Sequence, residues 1–141
     1  MILSHKTDFA LRTLMYLAGQ DREEPGRKIP TREIAEAFQL SMNHLVKIIH
    51  ELSQLGYIST TRGPGGGILL ARNPEDIRIG EVIEAIEGPL NLHDCVHTEG
   101  LCVIESFCKL KGIFRQADQL QRDFLRQHTL ADVLLPQRIG A

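Results

Sequence analysis

The apolar positions of this chain follow three rhythms along its length. From residue 7 the rhythm is helical: Phe9, Leu11, Leu14, Met15, Leu17 and Ala18 form a broad apolar face, with Thr7 at the capping position and Gly19 at the stop. The polar stretch 20–29, with Pro25-Gly26, reads as a solvated loop. A second helix follows Pro30, with Thr31 as N-cap and Ile34, Ala35 and Phe38 at helical spacing. After a short turn at Gln39-Leu40, Ser41 caps a third helix that ends at Gly56. Leu45, Ile48, Ile49, Leu52 and Leu55 point to a core, while Asn43, His44, Lys47 and His50 point outward. Two helices joined by a tight turn, the second with a polar N-terminal face, predict a helix-turn-helix.

Beyond Gly56 the rhythm becomes β-like. Residues 57–62 and 68–72 are β-prone runs on either side of Gly63-Pro64-Gly65-Gly66-Gly67, which predicts a hairpin, the wing of a winged helix. A phosphate-binding loop is excluded, because no Gly-Lys-Ser/Thr follows and no helix opens there. Asn73-Pro74 breaks the chain, and residues 79–86 form a short amphipathic helix ended by Gly88-Pro89. The third rhythm starts at Val103. Val103, Phe107, Leu110, Phe114, Ala117, Gln121 and Phe124 recur at alternating four- and three-residue steps, a heptad seam with one polar position. Such a helix, set at the end of a small domain, is expected to pair with a second copy; folding back on its own domain is the plain alternative, since heptad spacing alone does not identify the partner. Residues 128–134 add a short helical turn.

The expected fold is mainly α with a small β-hairpin wing: a winged helix-turn-helix plus a long C-terminal dimerisation helix. Residues 1–88 are the DNA-binding domain, 89–108 a segment rich in metal-ligand chemistry, and 103–141 the dimerisation helix and tail. No apolar run reaches membrane-spanning length, and Lys6, Asp8 and Arg12 interrupt the apolar N-terminus, so a cytoplasmic protein is expected. The net charge of −2 does not advertise a polyanion binder. Its distribution is more informative: residues 1–72 carry nine basic and seven acidic groups, residues 73–141 seven and eleven. A polyanion would meet the first half.

All three cysteines, Cys95, Cys102 and Cys108, lie within fourteen residues of one another. Thiols bunched in one segment of a reduced, intracellular chain point to a metal or iron–sulfur site rather than a disulfide framework. Alternatives are buried structural thiols, or zinc held by the three cysteines and His93 or His97. Structural zinc more often uses ligand pairs two to four residues apart, so the spacing favours a cluster. Full ligation of a four-iron cluster takes four protein donors, and the cysteines supply three. His93, His97 and Glu105 are nearby in sequence.

At the start of the third helix, Ser41 and Lys47 suit phosphate, and Asn43 and His44 suit base edges. A solvated helix face is the plain alternative for each. In the wing, Arg62 suits a narrow minor groove, and Gly65 and Gly66 allow close approach of backbone to DNA or simply a tight hairpin. A redox enzyme or electron carrier is disfavoured by the helix-turn-helix and the absence of any substrate motif.

Several stretches together resemble the Rrf-type winged-helix transcription regulators. They are Thr7-Asp8 with Leu11-Arg12; the run 43–49; Leu52-Ser53; Gly56-Tyr57; Arg62-Gly63; Gly66-Gly67-Ile68; the run 77–80; the three cysteines; and the run 129–132. Within that family the likeness is to the nitric-oxide-sensing branch. It implies a homodimeric repressor on double-stranded operator DNA, carrying an iron–sulfur cluster and releasing DNA on exposure to nitric oxide. The implied cluster is 4Fe-4S, with a 2Fe-2S regulator of iron–sulfur or redox status as the alternative. The family's cluster-biogenesis branch takes its fourth donor from a His three residues after the last Cys; here that residue is Lys111. In the nitric-oxide-sensing branch an Asp near the N-terminus of the other subunit serves, and Asp8 matches it. The plain alternative is a helix-capping carboxylate.

Overall fold

Ser4 starts the first helix: its hydroxyl accepts from the Thr7 amide, satisfying one of the helix's unpaired N–H groups. The computed structural model describes residues 2–136. In it α1 spans His5–Glu23, α2 Thr31–Phe38, α3 Met42–Gln54, α4 Ile79–Glu87 and α5 Lys109–Gln127. Strands β1 (Ile58–Thr61) and β2 (Gly67–Leu70) pair antiparallel, with Ile58 opposite Leu70 and Thr61 opposite Gly67. The expected mainly helical winged helix-turn-helix is the observed architecture. Of the segment 103–141, residues 137–141 lie outside the described residues.

Three local expectations are corrected. Thr7 is not the cap of α1 but a fully buried residue inside its first turn. Gly19 does not stop the helix, which runs on to Glu23. A Cβ at Gly19 would run into the Leu135 carbonyl, so glycine is there to let the C-terminal segment cross α1 closely. Thr31 is the first residue of α2, and Pro30 takes the N-cap place in extended conformation.

The core lies between α1, α2, α3 and the hairpin. Leu14, Leu17, Ile34, Leu45, Leu52 and Ile68 are fully buried there, closed off by Ile77, Val82 and Leu130. Each full burial of such a side chain stabilises the fold by roughly 1.5–3 kcal/mol before entropy is counted. Ile29 forms an isolated β-bridge with β2: its N–H donates to Ile68 O at 3.0 Å, and Ile68 N–H returns at 2.8 Å. That pairing explains Gly67, whose absent Cβ would sit 2.9 Å from the Ile29 carbonyl oxygen.

The last helix is bolted to α4 at its C-terminal half. Glu84 takes ion pairs from Arg122 at 3.2 Å and Arg126 at 2.5 Å, and Arg78 donates to the Arg126 carbonyl at 2.9 Å. Gly80 lets the helices touch, with Arg126 N only 2.8 Å from where a Cβ would be. The N-terminal half of α5 carries the cysteine segment.

Candidate functional site

The outward face of α3 is set by its cap and its period. Ser41 accepts from the His44 amide at 3.2 Å, which fixes where the helix starts. Burying Leu45, Ile48, Ile49 and Leu52 leaves Asn43, His44, Lys47 and His50 exposed. Two apolar residues, Met42 and Val46, share this exposed face, which the polar reading of the helix had passed over. Period alone would have found them, since both lie off the buried stripe. His5 and Lys6 of α1 join His44 and Lys47 around a hollow of about 260 Å3, an edge that needed the tertiary contact of α1 with α3 and in which Lys6 is ion-paired with Glu51 at 3.3 Å. The hairpin places Arg62 exposed beside a turn closed by a Gly66 N–H to Gly63 O bond of 2.9 Å, with Gly63 and Gly65 at positive φ. Arg62 and Val46 line a common groove between α3 and the wing.

The cysteine segment is mostly irregular, with short 3-10 turns at Asp94–Val96 and Glu105–Phe107. Cys95 and Cys108 are half-buried and Cys102 is exposed; none is in a disulfide. All three line one cavity of about 270 Å3, together with apolar Leu101, Ile104, Leu110 and Phe114. Among the described residues no three Cys, His, Asp or Glu side chains stand close enough to hold one metal ion. Thiols that surround a hollow rather than converge on a point suit a polynuclear group, in which separate irons take separate thiolates, better than a single zinc. The donor chemistry therefore fits an iron–sulfur group with three cysteine ligands.

Each candidate fourth donor on this chain makes a contact of its own. The Glu105 carboxylate is ion-paired with Lys111 and accepts the Gly100 N–H at 2.6 Å. These contacts, the Lys111 side chain first, hold its carboxyl below the usual carboxylate range. Both residues line the cavity, so their ion pair braces the loop beside the thiols. His93 lines the cavity too; its Nδ1 accepts the Cys95 N–H at 3.2 Å, which leaves Nε2 as the ring's remaining donor. His97 Nε2 faces Asp118 at 3.8 Å. Asp8 lies on α1, half exposed and held by Arg12 at 3.0 Å, and does not line the cavity.

A helix-turn-helix with an exposed polar N-terminal face, a wing, and a downstream thiol-lined hollow together define a winged-helix transcription regulator. The signature of the Rrf2 family, described as "Iron-dependent Transcriptional regulator", matches residues 3–135. This chain belongs to that family. It is 42% identical over 135 residues to the HTH-type transcriptional regulator NsrR of Bacillus subtilis, spanning 95% of this chain and 90% of that relative. To the protein of the same name in Shouchella clausii it is 40% identical over 137 residues, 96% and 89% of the two chains. The solved structure of T. potens IscR superposes with a TM-score of 0.72 at 28% identity, over 94% of this chain and 85% of the other. Among the described residues no helix is long and apolar enough to cross a membrane.

Proposed function

We propose that this chain is one subunit of a homodimeric cytoplasmic repressor that holds operator DNA and releases it in response to nitric oxide. Genes for nitric-oxide detoxification are the expected targets. The observation that carries this reading is the single hollow shared by Cys95, Cys102 and Cys108 at the start of α5, directly downstream of a winged helix. The likeness to the nitric-oxide-sensing branch supports the signal. Cys95, Cys102 and Cys108 would hold a 4Fe-4S group, and Asp8 of a second copy would complete it. Such a group, when bound, supplies iron that a small diatomic molecule attacks most readily where a carboxylate replaces a thiolate. The engagement of Glu105 and Lys111 with each other weighs against the 2Fe-2S alternative, which wants a neutral imidazole at residue 111.

The chain's own residues then divide the work. Residues 1–88 read DNA, 89–108 carry the thiols, and 103–141 bring two copies together. Ser41 and Lys47 anchor phosphates while Asn43 and His44 meet base edges. The wing offers Arg62 to the minor groove, with Gly65 and Gly66 admitting the backbone. Joining the cysteine segment of one subunit to Asp8 of the other fixes the angle between the two recognition helices, and parting them lets the helices leave successive major grooves. A mobility-shift assay on a duplex selected from random DNA tests this. Anaerobically reconstituted wild type is expected to retard it, and Cys102→Ser to lose both iron and retardation. Equal retardation by an iron-free Cys102→Ser protein would overturn the proposal.

A further inference from the structure

Helix α5 is exposed along most of its length, yet Asp118 in its middle is 2% exposed. A carboxylate taken out of water is costly unless its oxygens are bonded, so a buried one calls for a reason. Here Oδ1 accepts the backbone N–H of Leu92 at 2.9 Å. Oδ2 has no hydrogen bond and faces His97 Nε2 at 3.8 Å. Three residues earlier on the same helix, Arg115 donates to the Val96 carbonyl at 3.3 Å. Leu90 and Val96, at 5% and 2% exposure, tuck beneath, outside the main core. Residues 91–97 have little regular structure of their own, and these bonds to α5 hold them. Cys95 lies within that stretch, between the two anchored backbone groups.

We propose that Asp118 is a positioning residue for the thiol site: by fixing the Leu92 amide on α5 it sets Cys95 against the cavity that Cys102 and Cys108 share. This rests on the iron–sulfur reading for its purpose but not for its geometry. The other cysteines have their own supports. Cys108 is fixed by α5, which begins at the next residue, and the loop of Cys102 by Glu105 with Gly100 and Lys111. Cys95 sits in a loop of its own, which Asp118, with Arg115, ties to α5. An apolar residue of similar size would fill the space but leave the Leu92 N–H without an acceptor, whereas Asn keeps an acceptor oxygen.

The test uses the full chain without iron, so that it does not depend on which group the thiols bind. N-ethylmaleimide labelling, resolved by mass spectrometry for each cysteine, is compared in wild type, Asp118→Ala and Asp118→Asn. Asp118→Ala is expected to label Cys95 several-fold faster, with Cys102 unchanged and the far-ultraviolet circular dichroism retained; Asp118→Asn should restore the wild-type rate. After anaerobic reconstitution with iron and sulfide, Asp118→Ala should also show less visible absorption per chain. Cys95 labelling equal in wild type and folded Asp118→Ala would overturn the proposal. Should Asp118→Ala not fold, hydrogen exchange of wild type decides: a Leu92 amide protected far beyond the 98–101 loop supports it, and equal exchange overturns it. Failure of wild type to take up iron and sulfide would sink the iron–sulfur reading alone.

Discussion

Thr7 has the composition of a helix cap and the position of a buried strut. Its hydroxyl donates to Glu87 Oε1 at 2.5 Å, and the Ser4 N–H donates to the same oxygen at 2.7 Å. One carboxylate thus ties the start of α1, next to Asp8, to the end of α4, where the cysteine segment begins. Hydrogen bonds from Ser4 and then Thr7 hold the Glu87 carboxyl below its ordinary value of 4.5. A depressed folded value means stability that is present above the unfolded value and lost as the pH falls through the folded one. Glu87→Gln is therefore expected to be less stable at pH 7 by roughly 1 kcal/mol, a figure kept small by solvent screening. The gap should close as the pH drops below about 4.5. Thermal unfolding of both proteins at pH 7 and pH 3.5 checks this, and a gap of constant size would contradict it.

At the scale of elements, the wing depends on two glycines for backbone approach rather than for freedom alone. A Cβ at Gly66 would collide with the Thr61 carbonyl, in the strand opposite. Gly66→Ala should cost about 1–3 kcal/mol through overpacking and weaken operator binding as the tip distorts; unchanged unfolding and affinity would argue that the tip is slack. The helix-turn-helix was legible in the sequence because the Ser41 cap and the 3.6-residue period of Leu45, Ile48, Ile49 and Leu52 agree with each other. Gly19 was misread because a glycine at the end of an apolar run ordinarily marks a C-cap, whereas here it answers a contact with Leu135, over a hundred residues away. Ile29 gave no strand signal, since one residue carries no alternation. The brace between Glu105 and Lys111 needs a loop geometry that spacing does not encode.

At the scale of the molecule, α5 keeps part of the heptad seam that its sequence suggests. It starts at Lys109, so Val103 and Phe107 precede it. Phe114 and Leu110 line the thiol cavity, and Leu110, Ile113, Leu120 and Phe124 form an exposed apolar stripe. The stripe continues the account of pairing between copies. Leu120→Glu, which puts charges into the middle of it, is expected to turn a dimer into a monomer in sedimentation equilibrium and to reduce operator affinity at least tenfold. A dimer of wild-type stability would place the interface elsewhere. The cysteine hollow itself was legible as three thiols in one segment; a fourth donor was not, because the contacts of the nearby candidates, Glu105 with Lys111 and His93 Nδ1 with the Cys95 N–H, depend on loop geometry that spacing does not encode.

The proposed switch joins one stimulus to one response: nitric oxide at the thiol site and release of DNA by α3. The most direct measurement follows both in one anaerobic cuvette, titrating nitric oxide into the reconstituted protein bound to a fluorescent operator duplex. Visible absorption and DNA anisotropy should fall together, over the same few equivalents of nitric oxide per cluster. Anisotropy that stays at its bound value while the absorption is lost would contradict the account.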